Sequence, residues 1–311
     1  MHRRQFLTNS LAAGAAIGAA SAAVAQDPQL TKPESPTHRF KLKYAPHFGM
    51  FADSAGGDPV DQLKFAADQG FTAWEDNGMM RRSPEEQQKL GDAMEKLGIE
   101  MGVFVSYSGF GKDDLMTNTS PDFQDSLRKH MQGALECAKR VHAKWSTVVP
   151  GNISLRVPKD YQMANCVANL KVMAEVCEPA DLVMVLEPLN WWANHPGLFL
   201  SEIPQAYLIC QAVGSPSCKI LDDLYHQQIS EGNLIPNMAK AWSEIAYIQV
   251  GDNPGRQEPT TGEINYKNIF RWLHQRGYEG IVGMEHGVSK PGKAGEQALI
   301  DAYVEVDGFE T

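Results

Sequence analysis

Eight short runs rich in β-branched and aromatic residues recur along this chain, and amphipathic stretches of helical length separate them. The runs are FKLKYAPHF from Phe40, FTAWEDN from Phe71, IEMGVFVSY from Ile99, WSTVVPG from Trp145, DLVMVLEPLN from Asp181, CKILDDLYH from Cys218, IAYIQVGD from Ile245 and GIVGMEHG from Gly280. Among the intervening stretches, SPEEQQKLGDAMEKLG carries Ser83 as N-cap, Pro84 at the first helical position and Glu86 two residues on, which predicts a capping box. A second helix opens similarly at Ser120, with Phe123 in the box position. Gly70, Gly98 and Gly277 close helices just before the next run, where a left-handed C-cap is expected. Strand-then-helix units with short connections call for parallel strands joined by crossovers. A count of eight favours a closed (β/α)8 TIM barrel over an open doubly wound sheet. After Phe40 no Pro/Ser/Gly-rich break or charge block divides the chain, so residues 40–311 are expected to form one domain.

In such a barrel the C-terminal ends of the strands converge on one mouth. Val183, Val185 and Glu187 share a strand face, and Pro188 then stops the strand, leaving the Glu187 carboxylate at the rim. Ile281, Gly283 and Glu285 repeat that arrangement on the eighth run, and Tyr247 and Gln249 share a face on the seventh. On the sixth, Asp222 and Asp223 point to opposite faces, and parity does not choose between them. His47 and Glu75 also reach the rim, each equally suited to lining a pocket or anchoring a loop. Carboxylates crowded together raise one another's pKa and destabilise the site unless a cation or proton offsets them. A divalent metal ion is the economical answer. Oxygen donors suit Mg²⁺ or Mn²⁺ best, and Zn²⁺ or Co²⁺ also accept carboxylates. A metal chelating a carbonyl and its adjacent hydroxyl acidifies the C–H between them, and two flanking carboxylates can remove and return the proton. The expected reaction is proton transfer on an α-hydroxycarbonyl compound.

LEPLN, LDDLYH, QVGDNPGRQEPTTGEINY and GYEGIVGMEHG together resemble the hydroxypyruvate isomerase family, within the xylose isomerase-like TIM-barrel group that also holds ketose 3-epimerases and endonuclease-IV-type enzymes. The resemblance is sharpest from Leu182 to His286, and PGRQEPTTGEINY is its most specific piece. It implies metal ligation by Glu187, Asp223, Gln249 and Glu285, with Glu187 and Glu285 as the catalytic acid/base pair. Asp223 is preferred to Asp222 because the family's acidic residue lies three before the histidine, here His226. His226 and Arg256 match positions that contact substrate oxygens, and Arg256 could hold a substrate carboxylate. Ketose epimerases carry His at the third ligand position, and Gln249 agrees instead with the hydroxypyruvate isomerase branch. The implied activity is isomerisation of hydroxypyruvate to tartronate semialdehyde. Trp191 and Trp192 beside the site could stack on a sugar ring. They favour the alternative of a sugar epimerase or keto-sugar lyase; a non-catalytic periplasmic sugar-binding barrel is a further alternative. His195, in NHPG, has no evident partner.

The N-terminus reads as an export leader: Arg3 and Arg4 precede a small-residue apolar stretch and an A-x-A site before Gln26. The paired arginines followed by QFL resemble a twin-arginine signal, which implies export of a folded protein to the periplasm. Residues 26–39 read as a polar, proline-bearing linker, and the mature form is expected to have no membrane span. Net charge is −10, or −12 once Arg3 and Arg4 leave with the leader, which argues against a nucleic-acid partner. The expected partner is a small carbohydrate or hydroxy-keto acid, and an oligomer is compatible with the sequence. Cys137, Cys166, Cys177 and Cys210 fall in helical patterns as small buried side chains, and a Cys210–Cys218 bridge is open in an oxidising compartment.

Overall fold

A computed structural model describes residues 30–310. The leader expected at residues 1–25 and the first four linker residues lie outside the described part. Each of the eight runs forms a strand where the alternation placed it: β1 (Lys43–Ala45), β2 (Ala73–Trp74), β3 (Glu100–Met101), β4 (Val105–Ser108), β5 (Trp145–Val149), β6 (Val183–Leu186), β7 (Cys218–Asp223), β8 (Ile245–Val250) and β9 (Ile281–Met284). Nine labels cover eight barrel positions because the third run is interrupted. β3 pairs with β2, the chain bends through Gly102 and Val103, and β4 pairs with β5.

All pairings are parallel. Seven strands form one sheet in the order β1-β9-β8-β7-β6-β5-β4, and the gap closes through β2 and β3. Glu75 N–H donates to the Pro46 carbonyl (2.9 Å), a parallel bridge joins His47 to Glu75, and Thr147 N–H donates to Phe104 O (2.8 Å). These contacts join the ends of the sheet into the expected barrel.

Two cores result. A large one lies between the barrel and its helices, and a small one fills the barrel with Ala45, Ala73, Val103, Val185, Leu221, Tyr247 and Ile281. The small core fixes the register, since Val185, Leu221, Tyr247 and Ile281 point inward and residues two further along must do the same. The helices end as their sequences require. Ser83 and Glu86 complete the capping box, while Gly70 (φ 102°) and Gly98 (φ 69°) take left-handed caps. Residues 30–39 form neither helix nor strand but lie against the fold, with Leu30 packed on the core and Thr37 N–H bonded to Asp68 O (2.8 Å). Among the described residues no helix is long and apolar enough to cross a membrane. All five cysteines are buried and free, so Cys210 and Cys218 are not bridged here.

Two glycines near the top of the barrel are required by a neighbour. A Cβ on Gly283 would fall on the Glu75 carboxylate, and one on Gly102 would meet the Tyr247 hydroxyl and crowd Glu75 Cγ (3.2 Å). The barrel is hollowed at these two positions to admit the Glu75 side chain. Gly283→Ala should therefore cost about 1–3 kcal/mol by overpacking, measured by chemical denaturation. The same substitution should cost much less in a Glu75→Ala background; strict additivity would show that the two positions do not compete for space.

Candidate active site

The inward register that seats Val185 also seats Glu187, which is buried in the mouth. On β7 the inward residue after Leu221 is Asp223, also fully buried. Its Oδ1 caps the helix Leu224–Ser230 by accepting from Tyr225 N–H (2.9 Å). Asp222 points the other way, into the layer between strand and helices, where burial pushes its carboxyl up to about 8. Register thus selects the aspartate that parity left open. Glu285 follows β9 into the same mouth, and its Oε1 accepts from Asn77 Nδ2 (3.2 Å).

Arg256 sits between these acids. Its Nη2 lies 3.1 Å from both Asp223 Oδ2 and Glu285 Oε2, its Nε donates to Glu285 O, and the guanidinium rests over the Tyr225 ring. The backbone at Arg256 is left-handed (φ 51°), a conformation that costs a non-glycine residue about 1–2 kcal/mol. The long motif around it supplies the restraint. Asp252 accepts from the backbone N–H groups of Asn253, Gly262 and Ile264, and Glu258 accepts from Ser289 N–H (2.9 Å). QVGDNPGRQEPTTGEINY is a scaffold whose product is the position of one guanidinium.

Gln249 lies deeper. Its Nε2 is 3.2 Å from both oxygens of Glu75, and its Oε1 is buried with no partner. Both Glu75 oxygens accept from the Gln249 NH₂, which holds the amide with its nitrogen inward and leaves Oε1 as a free donor atom for a cation. Tyr247 also lies beside Glu75.

His226 is settled by the same kind of reasoning. Its Nδ1 lies 2.6 Å from Asn190 Nδ2 and 3.3 Å from Asn190 N, both hydrogen-bond donors. The Asn190 amide is itself oriented, since its oxygen accepts from the N–H groups of Ala193 and Asn194. Nδ1 is therefore the acceptor and Nε2 carries the hydrogen. Burial pushes His226 down to about 4, so the ring is neutral at pH 7. Ligand-type atoms of Glu187, Asp223 and His226 lie within 4.8 Å of one another, a spacing that would suit a metal. A protonated Nε2, however, has no lone pair to offer. It lies 3.5 Å from Asp223 Oδ2 with no hydrogen-bond partner, so it is a donor available to a substrate oxygen.

Four carboxyl groups, Glu75, Glu187, Asp223 and Glu285, thus share one mouth with one guanidinium. Burial first, then repulsion from Glu285 and Asp223, pushes Glu187 far above the usual carboxylate range. Glu285 rises to about 7, chiefly through burial, with Arg256 opposing. Burial and Glu285 raise Glu75, against the Gln249 bonds and the nearby Tyr247 hydroxyl. This excess of negative charge, with an orphaned amide oxygen beside it, fits a divalent cation, which Glu187, Asp223, Gln249 and Glu285 could hold.

A family model described as a xylose isomerase-like TIM barrel matches residues 63–303. The chain belongs to the xylose isomerase-like TIM barrel family. Within it, a putative hydroxypyruvate isomerase of Danio rerio is 31% identical over 246 residues, covering 76% of this chain and 87% of that protein. The hydroxypyruvate isomerase of Escherichia coli K12 is 31% identical over 175 residues, 56% of this chain and 67% of its own length. Among solved structures, a 3-keto-D-glucoside 4-epimerase from E. coli superposes with TM-score 0.68 at 18% identity, over 85% of this chain and 98% of that one, a likeness of fold. The family expected from the strand-end motifs is borne out.

All six residues singled out from sequence reach this xylose isomerase-like mouth. His47 lines the opening beside Glu75, Asn77 and Glu285, while its ring nitrogens face the Phe48 and His286 carbonyls. His195, expected to lack a partner, packs its ring 5.4 Å from that of His226 and 5.3 Å from that of Phe110. Sequence reasoning missed Asn190 and Asn77 and left Glu75 undecided. The signal for Glu75 was present in the two glycines that make room for it. Replacing Glu75 by Gln would let residue 75 donate to Gln249 Oε1 and turn the amide. Supporting residues of this kind are worth about 10–100-fold in metal affinity. Calorimetric titration of Glu75→Gln with MnCl₂ should show a loss of that size, and an unchanged Kd would remove Glu75 from the ligand's support.

Proposed function

We propose that this protein is a metal-dependent isomerase that moves a proton between adjacent carbons of an α-hydroxycarbonyl compound, with hydroxypyruvate to tartronate semialdehyde as the nominal reaction. The observation that carries this reading is the pair Glu187 and Glu285. They arrive at one mouth from different strands, close enough to repel each other, with Arg256 on Glu285, so that one can take a proton from a bound substrate and the other return it. The hydroxypyruvate isomerases the chain resembles support the same class of reaction. A cation held by Glu187, Asp223, Gln249 and Glu285 supplies a Lewis acid that lowers the cost of negative charge on the substrate oxygens.

The residues divide the remaining work. One of the two glutamates removes a proton from the hydroxymethyl carbon, and the electron pair left behind forms the enediolate of the substrate. The other returns a proton to the former carbonyl carbon, while the hydroxyl proton passes to the neighbouring oxygen. His226 Nε2–H donates to a substrate oxygen, and Asn190 keeps the ring in that tautomer. Arg256 neutralises developing charge and can receive a substrate carboxylate. The reading includes export of the folded protein through the twin-arginine leader.

The test is solvent deuterium incorporation. Purified protein with Mn²⁺ is incubated in D₂O with hydroxypyruvate and with a panel of ketoses, and exchange is followed by NMR. Deuterium should appear at the carbon next to a carbonyl, and Glu285→Gln should slow exchange by about 10²–10⁴-fold, the usual worth of a general acid/base. Absence of exchange in every compound, with Mn²⁺ bound, would end the isomerase reading.

A further inference from the structure

Two loops meet beside the mouth, and their contact is a stack of three rings. Phe110, from the loop after β4, lies 5.3 Å from the His195 ring, and His195, from the loop after β6, lies 5.4 Å from the ring of His226. His226 is fully buried and His195 only partly, so His195 forms part of the cover between His226 and solvent. The chemistry proposed above gives His195 no task.

The chain holds this ring from both sides. Phe110 sits between two glycines that let its loop lie tightly on the neighbouring one. A Cβ on Gly109 would fall 2.4 Å from the Pro150 carbonyl oxygen, and Gly111 is left-handed (φ 75°). Asn152 joins the loops after β4 and β6: its Oδ1 accepts from Gly111 N–H (2.7 Å), its own N–H donates to Lys112 O (2.6 Å), and its Nδ2 donates to Gly197 O (3.2 Å). On the other side His195 N–H donates to Asn190 O (2.9 Å). Asn194 Oδ1 accepts from Asn190 Nδ2 (2.9 Å) and from the Tyr225 hydroxyl (3.1 Å), whose ring carries Arg256. The turn that presents His195 is thus tied to the residues that orient His226 and Arg256.

The ring also brings polar atoms that the fold does not use. Among the described residues the His195 side chain makes ring contacts and no hydrogen bond. Burial and then Arg256 push the imidazole below its usual value, with Asp223 opposing. The ring is therefore neutral at pH 7, with one N–H donor and one acceptor nitrogen, and it stands in the field of the mouth's own charges. A position kept only for packing on Phe110 and His226 would be served by an apolar ring, which has no polar atom to leave unpaired.

We propose that His195 is a substrate-contacting residue of the mouth, held by Phe110 and His226 so that a ring nitrogen meets an oxygen of the bound substrate. The inference rests on the reading above in taking the mouth as the substrate site, and it does not depend on the reaction carried out there.

The first probe is glycerate, which has the three oxygenated carbons of hydroxypyruvate without the carbonyl. It is titrated into ¹⁵N-labelled, Mg²⁺-loaded protein, and the histidine ring nitrogens are followed by NMR, with His195 assigned by the signals missing in His195→Phe. Those signals should shift saturably. By calorimetry His195→Phe, which keeps an aromatic ring in the stack, should weaken glycerate binding by roughly 3–10-fold, the worth of one hydrogen bond between neutral groups. Its Mn²⁺ affinity and thermal stability should match those of the unmodified protein. In the deuterium-exchange assay KM should rise by a similar factor at constant kcat, as for a contact made equally before and during reaction. No saturable glycerate binding, unmoved His195 signals or undiminished affinity in His195→Phe would overturn the inference. A loss accompanied by weaker Mn²⁺ binding or lower thermal stability would assign His195 to structure and overturn it equally. Glycerate binding that needs His195, with no exchange in any compound, would uphold this contact while ending the isomerase reading.

Discussion

The site depends on a carboxylate buried at the axis of a barrel. Glu75 occupies the space that side chains at Gly102 and Gly283 would otherwise take, and it faces the Gln249 amide with both oxygens. Burying an ionisable group there is costly, and the cost is offset only if the group is hydrogen-bonded and its field is used. Its use is directional. The amide nitrogen turns inward, so the orphaned oxygen is offered to the mouth, where Glu187, Asp223 and Glu285 already concentrate negative charge. Arg256 compensates for part of that charge, and a divalent cation would compensate for the rest.

Everything above the strands serves to hold this crowded arrangement still. Asp252 ties three backbone N–H groups so that Arg256 can be kept in a left-handed conformation. Asn190 fixes the tautomer of His226 and simultaneously organises the loop that carries the two tryptophans. The division of labour is typical of barrels, with strands setting where the groups arrive and loops setting what they meet.

How far the sequence reveals this differs by level. The barrel is legible because two periodicities, two residues for strands and 3.6 for helices, alternate eight times, and capping residues mark the boundaries. Glu187, Gln249 and Glu285 are legible by strand parity. Parity could not choose Asp223 over Asp222, because two adjacent acids differ only in which face the register gives them, and register is set by distant partners such as Tyr247 and Gln249. Glu75 was half-visible: its rim position could be counted, but its inward placement depends on room left by Gly283 in β9 and by Gly102 just after β3. The partners of His195 and the tautomer of His226 were invisible, since both arise where separate loops fold over the mouth.

The central claim is that the mouth is a divalent-cation site built by Glu187, Asp223, Gln249 and Glu285. The most direct measurement is anomalous X-ray diffraction from crystals grown with Mn²⁺. The account predicts one strong peak per chain in the mouth, within roughly 2.0–2.4 Å of the three carboxylates and of the Gln249 oxygen, with the amide nitrogen still on Glu75. A mouth without a peak, or a peak against which Gln249 turns its nitrogen, would contradict it.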